Sequence, residues 1–309
     1  MTTLASRIEL GDFFSETSDP ALQESADRGV TELLDYRQLY ELWERQQWLT
    51  QELDFSRDRE QWHSFPEEER FQRMYGLSSF FIGEQKVTEE LGPMMRAAPT
   101  EEMKVFLATQ IADEARHVRF FDRFYDQVGV LDADDLSGRL AETGEHLNPS
   151  FHELFDELLG KRVQRLAEKP EDLETLVEAV TLYHMVIEGM LALTGQHYII
   201  DFNEQEGTLP GFVHGFNLVA RDEHRHVAFG ARFLRDMVAE DPRYKDSIQR
   251  ALEESLPLAD SVLKPKWMEG MDDEEAVTLF GVTVDETRDF AAQALTRRLK
   301  VIGLVPAAV

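Results

Sequence analysis

The residues that could do chemistry are two Glu-x-x-His pairs, Glu114/His117 in IADEARHVRFF and Glu223/His226 in ARDEHRHVAFG. Residues i and i+3 share one face of a helix, so each pair offers a carboxylate and an imidazole to a single point. Oxygen and imidazole donors together suit a divalent metal ion. From 36 glutamates and nine histidines in 309 residues, chance supplies about one such pair. Glu60/His63 is read as that one, a surface pair standing just before the Ser64 and Pro66 punctuation, where no long apolar helix supports it.

The other two pairs sit in the middle of long periodic segments, on faces lined by Ile111 and Phe121 or by Leu218 and Phe229. Charged groups are rarely buried unless paired or metal-bound, so a carboxylate there demands an explanation. Two further segments each supply one more candidate. Glu84 follows Ser78, Ser79, Phe80 and Phe81 and precedes Val87 and Leu91, and Glu188 lies in VIEGMLALTG, apolar on both sides. One Glu from each of two helices, with a Glu-x-x-His from each of two others, is the ligand set of carboxylate-bridged dinuclear metal bundles. Four carboxylates offset the charge of two divalent ions, and the donor set suits iron or manganese.

These residues need long helices to hold them. Apolar residues recur at three and four, the signature of amphipathic helices, and period-2 alternation never persists between turn signals. The spacing predicts long helices over 66–97, 101–128, 171–203 and 210–240, each about 40 Å long at 1.5 Å per residue. Shorter ones are expected near 31–48, 149–168 and 243–265. Ser64 and Glu67 around Pro66 read as a capping box, and Thr100 before Glu101 and Glu102 as a second N-terminus. Residues 1–30 are polar without clear period and are expected to be partly disordered; residues 266–309 read as one or two C-terminal docking helices. With no internal repeat and no Gly/Ser linker, the expectation is a single all-α domain over 1–309, a four-helix metal-binding core with flanking helices.

The composition excludes several functions. There are 32 basic and 60 acidic side chains, a net charge of −28 with no basic block, so nucleic acid and anionic lipid are poor partners. The absence of cysteine excludes disulfides, thiolate catalysis, iron–sulfur clusters and cysteine-bound zinc. No uninterrupted apolar run reaches the length of a spanning helix, and the start MTTLASRIELGDFF lacks the pattern of a signal peptide. A cytoplasmic location is expected.

The chain resembles the ferritin-like superfamily, and within it the ribonucleotide reductase small subunits, from about Tyr40 to Arg235. The likeness runs through WLTQELDFSRDREQW, FFIGEQKVTEEL, DEARHVRFF, IEGMLALTG and RDEHRHVAFG. It implies that Glu84, Glu114, His117, Glu188, Glu223 and His226 bind two metals that activate dioxygen. Trp48 and Asp222 match a buried tryptophan and aspartate that the reductases keep near the metals. Two features depart from the reductases: Phe121 stands where their radical tyrosine usually lies, and the last tyrosine is Tyr244, with none in RRLKVIGLVPAAV. A phenylalanine at that position is also found in manganese/iron small subunits.

A second branch, the small-subunit-like ligand-binding oxidases, is similar at two more positions. In that family a valine three residues after the first ligand Glu is joined by an ether bond to a tyrosine five residues before the fourth ligand. Those positions are Val87 and Tyr183 here, and IEGMLALTG is itself close to this branch. The resemblance implies a manganese and an iron ion, with two iron ions as the alternative because six oxygen and nitrogen donors accept both. It further implies two-electron oxidation, a long-chain fatty acid as ligand, and a homodimer. A reductase small subunit and a non-catalytic ferritin-like metal-binding bundle are the competing readings.

Overall fold

The computed structural model describes residues 3–14 and 33–304. In chain order the helices are α1 (Leu4–Ile8), α2 (Leu10–Phe13), α3 (Tyr36–Arg45), α4 (Ser56–Ser64), α5 (Glu67–Ala97), α6 (Glu101–Val128), α7 (Leu136–Gly144), α8 (149–168), α9 (Leu173–Glu206), α10 (Pro210–Glu240), α11 (Tyr244–Val262) and α12 (Val284–Ile302). Among the described residues the only β pairing is an isolated bridge between Val277 and Thr283. The protein is all-α, with α5, α6, α9 and α10 as the long core helices.

Local chemistry sets the boundaries. Thr100 caps α6 by accepting from the Met103 amide, and Gly129 ends it in the left-handed conformation. Pro210 opens α10 from the first turn, where its missing N–H costs nothing. The freed amides of Gly211 and Phe212 donate to the buried carboxylate of Asp58, at 2.9 and 2.6 Å. The expected Ser64/Glu67 capping box does not form. Pro66 precedes α5 with no side-chain cap, and the Ser64 hydroxyl turns back to the Gln61 carbonyl. Glu67, Glu68 and Glu69 in the first turn meet the positive end of the helix dipole instead.

Two helices carry π segments, Glu153–Leu159 in α8 and Thr181–Ala192 in α9. Helix α9 is long and apolar enough to cross a membrane, with a mean hydropathy of 1.5, but 78% of that stretch is buried inside the fold. It is a core helix. Apolar packing divides into one cluster around α9, α11 and α12, and an aromatic one around Phe120, Phe121, Phe212 and Phe216.

Three regions add detail to the expectations. Residues 3–14 form two short helices whose Leu4, Ile8, Leu10 and Phe13 are buried; the rest of 1–30 lies outside the described residues. Helices α4 and α7 were not anticipated, because each is short and largely polar. The C-terminal region holds one docking helix, α12, opened by a Thr283/Glu286 capping box, and before it a strap over 263–283 with a single 3-10 turn.

Candidate metal centre

Helices α5, α6, α9 and α10 each turn one face inward, and Glu84, Glu114, Glu188 and Glu223 meet there with His117 and His226. The glutamates are 0–6% exposed and the histidines fully buried. Their donor atoms form two quartets, Glu84/Glu114/His117/Glu223 and Glu114/Glu188/Glu223/His226, each within 4.8 Å. Glu114 and Glu223 belong to both, the arrangement of carboxylates that bridge two ions. Nδ1 of His117 lies 3.3 Å from Glu84 and Glu114 and 3.5 Å from Glu223. Nδ1 of His226 lies 3.2 Å from Glu114 and 3.4 Å from both Glu188 and Glu223.

The far side of each imidazole is held by an aspartate. Nε2 of His117 faces Asp222 at 3.4 Å and Nε2 of His226 faces Asp113 at 3.1 Å. Each aspartate takes an indole N–H, Asp222 from buried Trp48 at 2.7 Å and Asp113 from half-buried Trp43 at 2.8 Å. The Arg225 guanidinium spans both aspartates, at 2.6 and 3.0 Å, and Arg116 contacts both from the other side. Donating Nε2–H to carboxylate leaves the Nδ1 lone pair pointing at the quartets, the tautomer a metal ligand needs. Asp113, Trp43, Arg116 and Arg225 were not anticipated, although their signal is a repeated Asp-Glu-x-Arg-His in both helices, DEARH and DEHRH.

Electrostatics describe a cage loaded with protons. Burial pushes Glu84 and Glu188 well above the usual carboxylate range. Burial also opposes charge on the imidazoles, yet Glu84 and its neighbours raise His117, and Glu114 and Asp113 raise His226, well above the ordinary value. Glu114, although buried, is held well below its ordinary value by both imidazoles. Glu114 Oε2, Glu188 Oε2, Glu223 Oε2 and His226 Nδ1 are buried without a hydrogen-bond partner. Orphaned donor atoms of this kind, converging from four helices, fit two metal ions; a cage without metal must hold protons in their place.

The π segment of α9 carries both Tyr183 and Glu188. Its i→i+5 bonding brings residues five apart close to register, so both side chains face the cage. The Tyr183 phenol donates to Glu114 Oε1 at 2.7 Å. Tyr183 and Val87 are both buried, and both line a cavity of about 210 Å3 whose floor includes Glu84, Glu114, Glu188 and Glu223. The cavity runs out between α5 and α9 past Phe80 and Phe155 to half-exposed Tyr75, Trp267 and Phe280, and among the described residues no lysine, arginine or histidine lines it. Phe121 sits in the aromatic cluster, stacked on Phe80 with ring centroids 6.3 Å apart. Glu60 and His63 are exposed on α4, away from the cage.

A long-helix bundle that gathers four buried carboxylates and two histidines at its centre has the architecture of the dinuclear carboxylate metal proteins. Residues 32–304 match the ribonucleotide reductase small chain family, and the chain belongs to that family. Among solved structures it is similar to an R2-like ligand-binding oxidase with aerobically reconstituted Mn/Fe cofactor. The two share 28% identity at a TM-score of 0.74, over 85% of this chain and 91% of the other. A point mutant of an R2-like ligand-binding oxidase, likewise with aerobically reconstituted Mn/Fe cofactor, gives 27% identity and a TM-score of 0.76 over 87% and 93%.

Proposed function

We propose that this protein is an oxygen-activating dinuclear oxidase that holds one manganese and one iron ion and performs two-electron oxidations. Glu84, His117, Glu188 and His226 would be terminal ligands, two to each ion, with Glu114 and Glu223 shared. When bound, the metal pair would supply the redox chemistry that activates dioxygen. The observation that carries this reading is the cavity floor, where the four glutamates, Val87 and Tyr183 line one apolar space.

That Val87 and Tyr183 line the same space supports an ether bond between Val87 Cβ and the Tyr183 oxygen. Forming it breaks one C–H and one O–H bond and releases two protons and two electrons, with dioxygen as terminal acceptor. Glu114, 2.7 Å from the phenol oxygen, is placed to take the phenol proton. The apolar walls suit a long-chain fatty acid. With no cationic side chain in the lining, its carboxylate would find charge compensation only at the metals. Resemblance to the ligand-binding oxidases supports a homodimer, which sedimentation would test.

The deciding experiment is peptide mapping after loading the metal-free protein with Fe(II) and Mn(II) and exposing it to air. The expected product is a joined pair of peptides containing Val87 and Tyr183, lighter by two hydrogens than their sum. Its absence in a sample that holds two metals per chain would overturn the ether assignment. Extraction of the loaded protein should release a long-chain acid.

A further inference from the structure

One fully buried polar side chain beside the cage is not a candidate ligand. Gln110 lies on α6, one turn before Glu114. Its Nε2 is 2.9 Å from Glu188 Oε1, 3.2 Å from the Tyr183 oxygen and 3.4 Å from Glu114 Oε1, and its Oε1 is 3.1 Å from Nε2 of His184. We propose that Gln110 is a positioning residue that holds the Tyr183 phenol and the Glu188 carboxylate in place, with His184 as the anchor that sets the direction of its amide.

The amide has one workable orientation. The Tyr183 hydroxyl gives its hydrogen to Glu114 Oε1, so toward Gln110 its oxygen can only accept. The NH2 end of Gln110 must therefore face the cage and its carbonyl must face His184. That carbonyl needs a donor, so His184 carries its hydrogen on Nε2. The His184 ring is itself fixed by packing: a Cβ placed at Gly230 of α10 would lie 2.3 Å from His184 Cβ. The phenol oxygen is thus gripped from two sides, donating to Glu114 and accepting from Gln110. Leucine or methionine at 110 would fill the space but leave the phenol oxygen held by Glu114 alone, and would leave Glu188 one donor short.

The proposal uses the ether reading only for its second measurement, so the first is made on metal-free protein. Tyrosine is replaced by 3-fluorotyrosine, and the fluorine resonance of Tyr183 is assigned by its loss in Tyr183→Phe. Gln110→Met and His184→Leu should each move or broaden that resonance, and His184→Gln, which keeps a donor toward the Gln110 carbonyl, should restore it. A resonance unmoved in both variants, or no recovery in His184→Gln, overturns the proposal.

The second measurement loads wild type and Gln110→Met with Fe(II) and Mn(II) in air and compares them at two metals per chain. The joined fraction should fall about fivefold, the loss of one net hydrogen bond. Equal yields would overturn the positioning role. A wild-type protein that forms no joined peptide would overturn the ether reading instead, and the fluorine spectra alone would then decide on Gln110.

Discussion

Asp113 accepts a hydrogen bond from Nε2 of His226 at 3.1 Å, and stands one residue before Glu114 as Asp222 stands one residue before Glu223. The carboxylate that serves one histidine therefore comes from the helix that carries the other. Helices α6 and α10 are locked to each other through both histidines, and Arg116 and Arg225 each bridge the two aspartates. The orientation of each imidazole is set before any metal arrives.

Asp113→Asn and Asp222→Asn test this directly. Each removes the charge behind one imidazole while keeping the shape of the side chain. Loss of such a partner lowers metal affinity about 10–100-fold. Asp113→Asn should weaken the quartet containing His226 and Asp222→Asn the one containing His117, read as metal retained per chain after dialysis against a graded chelator. Wild-type retention in both variants would remove the aspartates from the site.

Tyr183→Phe separates holding metal from using it. The phenol touches Glu114 and Gln110 but belongs to neither donor quartet. The variant should bind two metals per chain and yield no joined Val87 peptide after exposure to air. A fall to one metal per chain would instead make the phenol part of the cage.

The protonated cage gives the metal-free protein an unusual dependence on pH. Glu84, Glu188, His117 and His226 all have folded-state values raised above their unfolded ones. Raised groups add stability that is complete below the unfolded value and is lost as pH climbs through the folded one. Those unfolded values are about 4.3 for Glu and about 6.5 for His. Glu114, lowered in the fold, gives its full contribution above the carboxylate range and does not oppose the trend. Metal-free protein should therefore melt at progressively lower temperature as pH rises from about 6 to 9. Metal-loaded protein should not, because the ions replace those protons. Calorimetry in buffers of different ionisation enthalpy should show net proton release on loading at neutral pH; loading without proton release would contradict the protonated cage.

Much of the fold was legible because it rests on strong local signals. Thr100, Pro210 and Gly129 punctuate helices whose apolar periodicity is long, and α10 begins and ends where periodicity and its flanking prolines place it. Four of the six donors were legible because a Glu three residues before a His marks a helix face without any tertiary knowledge, and Glu84 and Glu188 because each is a lone carboxylate in an apolar stretch. The partners of those donors were harder to see. Trp43 and Gln110 come from a short helix and from a turn that repeats no motif, and their shortest contacts to the site are 70 or more positions away. The register of Tyr183 against Glu188 depends on a π segment, for which periodicity at 3.6 gives no warning. Ser64 and Glu67 show the opposite failure, a correct local pattern overruled when the hydroxyl found the carbonyl of Gln61.

Gly230 supplies the sharpest test of how tightly that π segment is seated. It lies in the interior of α10, where alanine would ordinarily add about 0.5–1 kcal/mol of stability over glycine. A Cβ there, however, would lie 2.3 Å from Cβ and 2.7 Å from Cγ of His184, and no rotamer moves that Cβ away. Overpacking a tight core costs about 1–3 kcal/mol, so Gly230→Ala should lower the melting temperature in spite of the gain in helix propensity. Gly144, at the end of α7 with nothing within 4 Å of its Cβ position, is the control, and Gly144→Ala should leave stability unchanged or raised. If Gly230→Ala were as stable as Gly144→Ala, helices α9 and α10 would have room to separate. The packing of His184 could then not be what holds Tyr183 and Glu188 over the cage.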